Sequence, residues 1–256
     1  MRTQFKREAR SARAVVADVR AKRGSSLTSM LEGGVDEVAG LLGCDPFGAK
    51  RAICMQLEEL LLHDGAVWWL DVAASEVTAA GEGVHLRGSC EAGTVLACYP
   101  GVIFLPEDLP VMHQLVLTGN EYVLARRDGV LLDGRPDGAS AQIYAVAQSR
   151  DRAAGAAEGR GTAFAIGNKV NHPPRGVQPN VLRYPLDLMA DEHPALHAFL
   201  PVHHFRPPAA GRPIKQTVVF IATRTLRDEE LLLDYKLRED GPLEPWYCPV
   251  QRTPQT

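Results

Sequence analysis

The chain is poor in cysteine, and what cysteine it has is not arranged to build anything. Its five cysteines (Cys44, Cys54, Cys90, Cys98 and Cys248) are an odd, scattered set with no Cys-x-x-Cys pair. That excludes a disulfide framework and a zinc ribbon, and fits thiols kept reduced in a reducing compartment. No stretch approaches the roughly 18 to 20 apolar residues that a membrane span needs, and an uninterrupted apolar secretory stretch is missing near Met1. No membrane association is expected; an intracellular location is, with nucleus or cytoplasm favoured over mitochondrion. A strong overall charge is also missing: 28 Lys+Arg against 31 Asp+Glu leave −3, and 45% of the 256 residues are hydrophobic. This excludes collagenous, coiled-coil and wholly disordered chains and implies one large domain, or one domain with a helical extension.

The small net charge hides an uneven distribution. Residues 1–23 carry eight basic side chains (Arg2, Lys6, Arg7, Arg10, Arg13, Arg20, Lys22, Arg23) against Glu8 and Asp18, so this arm is +6 and the remainder −9. A solvated surface helix, a contact with nucleic acid or an acidic protein, and an Arg-rich transit helix all fit such an arm; its two acids count against the last.

From Ser25 to about Leu70 the apolar residues recur at helical spacing (Leu27, Met30, Leu31; Val35, Val38, Leu41, Leu42; Ile53, Leu57, Leu60, Leu61), broken at Gly33-Gly34 and at Asp45-Pro46. The pattern predicts two or three short helices, with Trp68 and Trp69 filling core or interface at their end. Beyond Asp71 short β-rich stretches follow: Val84–Leu86, Thr94–Tyr99, Val102–Leu105, Glu121–Ala125, Val130–Leu132 and Gln142–Val146. Asp128-Gly129 and Asp137-Gly138 read as turns between them. Arg150–Gly161 and Arg206–Pro213 read as loops, and Thr217–Thr223 as a buried strand, being continuous, β-branched and bounded by turns.

Histidine offers no metal site. His193 and His197 lie four apart but lack a third ligand, and a helix starting at Pro194 is the better reading; His203-His204 read as loop surface. Gly81-Glu82-Gly83 lets backbone approach a ligand, yet Leu86 stands where a dinucleotide fingerprint needs a third glycine, and no helix pattern follows. Asn171-His172 lies in the Pro/Gly-rich stretch Gly167–Asn180, where side-chain donors and acceptors either stabilise turns or face a ligand.

Taken in order, Gly81-Glu82-Gly83, Tyr99-Pro100-Gly101, Asn171-His172 with Pro179-Asn180, and Glu229-Glu230-Leu231 with Asp234-Tyr235 resemble the SET domain family, the fold of protein lysine methyltransferases. The likeness covers roughly residues 76–237. Asp128–Gly134 and Ser149–Arg152 resemble, more narrowly, the subfamily called SET domain-containing protein nine. The implied fold class is α+β, mainly β: a β-clip with a knot-like crossing of the Asn-His loop and the C-terminal segment, preceded by a small helical region. The implied division is a basic arm (1–23), a helical region (24–75), the SET domain (76–237) and a tail (238–256).

The implied activity is protein-lysine N-methylation with S-adenosylmethionine as cofactor and a lysine-bearing protein or peptide as partner. By resemblance Gly81, Glu82, Gly83, Val84, Asn171, His172 and Tyr235 contact the cofactor, while Tyr235 and Tyr99 are the catalytic channel tyrosines and no metal is involved. The chemistry is consistent with this: in-line displacement at a sulfonium methyl rests on alignment and exclusion of water. A lysine of pKa about 10.4 must also lose its proton, which desolvation in an apolar channel favours.

The sequence departs from the family in two places. Pro173, Pro174 and a longer loop with Arg175 follow Asn-His, and the tail holds Cys248 alone instead of a three-cysteine zinc cluster. Trp246 and Tyr247 either close the channel with aromatic area or merely pack. The competing reading is an inactive SET fold that binds a peptide or protein partner.

Overall fold

The computed structural model describes residues 32–62, 68–116, 120–153, 164–236 and 247–250. The basic arm and Trp246 lie outside these, as does most of the stretch read as the Arg150–Gly161 loop.

Two helices come first, α1 (Glu32–Leu42) and α2 (Pro46–Leu62). Gly43, at φ 65°, ends α1 in the left-handed conformation that glycine adopts without cost. Asp45 then caps α2, its Oδ1 accepting the Gly48 N–H at 2.7 Å, with Pro46 at the first helical position. Val38, Ala49, Ile53, Cys54 and Leu57 are buried in the main core, so both helices lay one face on it.

Three small sheets follow. The first orders β1 (Trp68–Ala74), β2 (Glu82–Cys90) and β10 (Leu226–Arg227) side by side; the second orders β3 (Val95–Cys98), β9 (Lys215–Ala222) and β7 (Val181–Leu188). The third runs β5 (Val123–Ala125), β6 (Leu131–Asp133), β4 (Gly101–Phe104) and β8 (Val202–His204), with β4 and β8 parallel. The class is α+β, mainly sheet. Strand β9 is buried along its whole length, and from Val218 to Ala222 it is continuously apolar. The Asp128-Gly129 turn joins β5 to β6, closed by Arg126 N–H to Val130 O at 2.9 Å, with Gly129 at φ 86°.

The short helices are α3 (Leu109–Leu115), α4 (Gly138–Ala153) and α5 (Pro194–His197). Helix α5 starts at Pro194 as the sequence suggests. Helix α4 corrects the strand expected at Gln142–Val146; the chain does bend at Asp137, with Gly138 at φ 78°, and leads into this helix. Its covered positions, Ser140, Ile143, Tyr144, Ala147 and Gln148, follow helical spacing, and Val146 faces outward. A five-residue apolar run is ambiguous in period, and the alanines around it favour helix.

Residues 68–74, placed by sequence in the helical region, form an edge strand. Only Trp68 is a core residue, edge-on to Phe164 at 6.3 Å; Trp69, on the opposite face of β1, is 63% exposed, so the packing role expected of both tryptophans holds for one. The side-chain period of two in a strand forces that split.

Candidate functional site

The segment 229–233 is where the separate motifs meet. On one side it pairs with β2: Leu86 N–H donates to Glu229 O at 2.8 Å and Leu231 N–H to Val84 O at 2.7 Å. On its other side Leu233 N–H donates to Asn171 O at 2.8 Å and Asn180 N–H to Leu232 O at 3.0 Å, with parallel bridges Asn171 to Leu232 and Val181 to Leu233. Asn180 is a buried clamp. Its Oδ1 accepts Leu232 N–H at 2.7 Å while Nδ2 donates to Glu229 Oε2 and to the Glu230 carbonyl.

Glu230 works at the same junction. Its carboxylate, 3% exposed, accepts Ser75 Oγ–H and Glu76 N–H, both at 2.7 Å, and Asn171 Nδ2–H at 3.0 Å. It lies so close to Gly83 that a Cβ there would meet Oε1 at 2.1 Å. The second glycine of the pair therefore serves a carboxylate of the chain itself. Gly81, at φ 79°, has nothing within 4 Å of where a Cβ would point, and with Glu82 it is exposed, so this end of β2 is the open one. Val84 is buried, and Glu82 pairs with Lys169.

Asn171 shares its amide N–H groups among Ser75 Oγ, Glu82 O and Glu230 Oε1. His172 is buried between the C-terminal elements. Its Nδ1 accepts the Tyr235 backbone N–H at 3.3 Å, which puts the ring proton on Nε2, donated to Cys248 O at 2.7 Å. Its ring stacks on Tyr247 at 4.4 Å and leans on Tyr235 at 5.4 Å. The tail thus rests on His172.

The tyrosines form the second half of the site. Tyr99 ends β3, and the glycine two residues on is obligatory: Gly101 has φ 125° and a Cβ there would lie 2.0 Å from Asp133 O. Tyr99 Oη–H donates to Tyr122 O at 2.7 Å and Tyr235 Oη–H to Val170 O at 2.9 Å. Burial pushes the Tyr235 hydroxyl up to about 12, helped by Tyr122, Glu121 and Glu230; burial also drives Tyr99 well above the ordinary tyrosine value, with Tyr235 the next contributor. Two neutral hydroxyls from chain segments far apart in sequence thus stand near each other.

Of the sequence-proposed residues, Glu82 to Val84 lie on β2 with Gly81 just before it, Asn171 bonds to Glu82 O, His172 holds the Tyr235 backbone, and Tyr99 is anchored on Tyr122 O. Missed were Ser75, Tyr122 and the carboxylate role of Glu230. The last was legible only as part of a motif, and the other two carry no local signal. His193, read as a bystander, holds α2 through Glu58 Oε1 at 2.8 Å. Among the described residues no His, Cys, Asp and Glu cluster is placed to hold a metal, and no helix is long and apolar enough to cross a membrane.

The arrangement suits a reaction run by alignment: hydroxyls that keep their protons and backbone carbonyls that fix them. No protein-family model matches the chain. It is similar to SET domain-containing protein 9 of Pongo abelii, 35% identical over 81 residues, which is 31% of this chain and 29% of that protein. The same protein of Homo sapiens is also 35% identical over 81 residues, 31% of this chain and 26% of that one. The match therefore spans less than a third of either relative. Among solved structures, KRYPTONITE in complex with mCHH DNA, an H3(1-15) peptide and SAH aligns at TM-score 0.38 and 17% identity, over 69% of this chain and 25% of that chain. A ctPRC2 structure bound to S-adenosylmethionine aligns at TM-score 0.38 and 14% identity, over 73% and 19%.

Proposed function

We propose that the chain is a member of the SET domain family and an S-adenosylmethionine-dependent protein-lysine N-methyltransferase, a reading that the motif order and the partial match support. The observation that carries the reading is that Tyr99 and Tyr235 are both desolvated and proton-bearing, with the Tyr235 backbone held by His172, next to the Asn171 that reaches Glu82 beside the open Gly81.

The residues fit the cofactor. Gly81 has open space where a Cβ would point and Glu82 beside it is exposed, while Asn171 reaches the Glu82 carbonyl and the adjacent His172 accepts the Tyr235 backbone N–H. When bound, the cofactor supplies a sulfonium-activated methyl group. The chain's own part is to hold a lysine amine in line, keep water out and favour the neutral amine by desolvation. Tyr235 Oη, anchored on Val170 O, and Tyr99 Oη, anchored on Tyr122 O, orient the amine lone pair. His172 sets the Tyr235 backbone. The basic stretch 1–23 is a contact for acidic groups, and the location is intracellular.

Calorimetric titration with S-adenosylmethionine and, separately, its demethylated product tests the reading, with Asn171→Ala as control. Micromolar binding lost in the control supports it; absence of binding to the folded chain at millimolar cofactor overturns it. One observation favours an inactive binding module: the Asn171 amide N–H groups are all spent on Ser75, Glu82 and Glu230. That reading predicts a folded chain that captures a lysine peptide without cofactor.

A further inference from the structure

The Tyr99 hydroxyl is backed by a buried polar pair, Asn120 and Asp133, each 2% exposed. Asn120 Nδ2 donates to Asp133 Oδ1 at 2.7 Å, and the same oxygen accepts the Arg135 N–H at 3.1 Å. The other end of the Asn120 amide is committed as well: its Oδ1 accepts the Tyr122 N–H at 2.9 Å. Burying an amide against a carboxyl group costs stability unless hydrogen bonds offset it, and here the bonds converge on one peptide.

Tyr122 is held at both ends of its backbone. Its N–H is on Asn120, and its carbonyl accepts the Gly134 N–H at 3.0 Å together with the Tyr99 Oη–H at 2.7 Å. A carbonyl oxygen has two lone pairs, so both are taken. Gly134 is fixed in turn. It follows Asp133, its carbonyl accepts Asn168 Nδ2–H at 2.7 Å, and a Cβ on it would lie 3.0 Å from Cε1 of Tyr99.

The direction of the Tyr99 proton decides what its oxygen can do for an amine. A hydroxyl whose proton is committed to a fixed carbonyl offers only lone pairs; it accepts an N–H from a lysine amine and leaves the lone pair of that amine free. A hydroxyl that turns can donate to the same lone pair and tie up the nucleophile.

Resting on the methyltransferase reading, we propose that Asn120 and Asp133 are positioning residues: they fix the Tyr122 carbonyl, which holds the Tyr99 hydroxyl as an acceptor toward the incoming lysine. They act through Tyr99 and not on the reacting atoms.

The experiment gives the folded chain S-adenosylmethionine and a mixture of peptides with a central lysine and randomised flanks. It follows methyl transfer together with the nuclear magnetic resonance signal of Tyr99 Cζ, identified by its loss in Tyr99→Phe. Asn120→Ala should move that signal and lower kcat about tenfold, the scale of one hydrogen bond, while KM for the peptides and the affinity for cofactor change less than about twofold. Asp133→Ala should do the same. Asp133→Asn, whose amide oxygen still accepts from Asn120 and Arg135, should bring both readings back toward those of the unsubstituted chain. Should Asp133→Ala fail to fold, Asn120→Ala and Asp133→Asn carry the comparison. In a Tyr99→Phe background Asn120→Ala should lower kcat no further, because the hydroxyl it acts through is gone. An equal fall in that background, or a Tyr99 signal unmoved by Asn120→Ala, overturns the proposal and leaves the methyltransferase reading standing. A folded chain that binds no S-adenosylmethionine, or transfers nothing to the peptides, overturns the methyltransferase reading instead, and the Tyr99 signal by itself then decides whether the pair holds the hydroxyl.

Discussion

The Glu230 carboxylate rests against the backbone of Gly83, with Oε1 2.1 Å from where a Cβ would be, and the same oxygen receives the Asn171 amide. Three motifs far apart in sequence are thereby locked to one another. Gly83→Ala is expected to cost about 1–3 kcal/mol, since an inserted methyl must displace a buried carboxylate that has three donors. In a Glu230→Ala background the same substitution should cost much less. Equal costs in the two backgrounds, measured by urea unfolding, would show that the clash is relieved elsewhere.

Asn180 offers a separate test of the junction. Asn180→Ala removes the acceptor for Leu232 N–H and the donor to Glu230 O, both at a buried seam, and should cost about 2–4 kcal/mol. It also removes a partner of Glu229. Burial raises that carboxyl, but Arg224 and Asn180 outweigh it and leave its value lowered from 4.5. A lowered carboxyl stabilises the fold above its unfolded value, and this support is lost as pH falls through the folded value. The variant's acid-unfolding midpoint should move to higher pH, read by circular dichroism.

The tyrosines give an alkaline prediction of opposite direction. An unfolded tyrosine loses its proton near 10, whereas Tyr235 holds it to about 12. The folded state binds more protons in that window, so stability is full below pH 10 and falls as pH rises toward 12. Tyrosinate absorbance should show Tyr99, Tyr184 and Tyr235 titrating late in the native chain, with one late-titrating residue fewer in Tyr235→Phe and in Tyr99→Phe.

Methyl transfer should separate from stability at Tyr235. Tyr235→Phe loses the bond to Val170 O, worth about 1 kcal/mol, yet transfer should fall about a hundredfold or more. Unaltered single-turnover transfer in a folded Tyr235→Phe chain would remove this tyrosine from the catalytic assignment.

The tail contact is measurable by a double-mutant cycle between His172 and Tyr247. Their stacked rings at 4.4 Å should couple by about 0.5–1.5 kcal/mol. A coupling near zero would mean that Cys248 O, not the ring, holds the tail.

Much of the scaffold was decided locally. The continuous β-branched run 217–223, the Asp128-Gly129 hairpin, the Asp45-Pro46 helix start and the α5 start at Pro194 each depend on dihedral and period preferences carried by neighbouring residues. The order of the motifs was likewise readable.

What only the tertiary structure decided is how the motifs touch. Gln142–Val146 became helix because its neighbours and the second core cluster chose the period, and Trp69 turned outward because it lies one residue from Trp68 on a strand. Gly83 is a glycine on account of Glu230, and Tyr99 and Tyr235 share one site, because backbone bonds draw segment 229–233 between β2 and Asn171. Such contacts span from about 60 to over 140 residues, and no local preference encodes them. They exist only once burial makes each buried polar group find its partner.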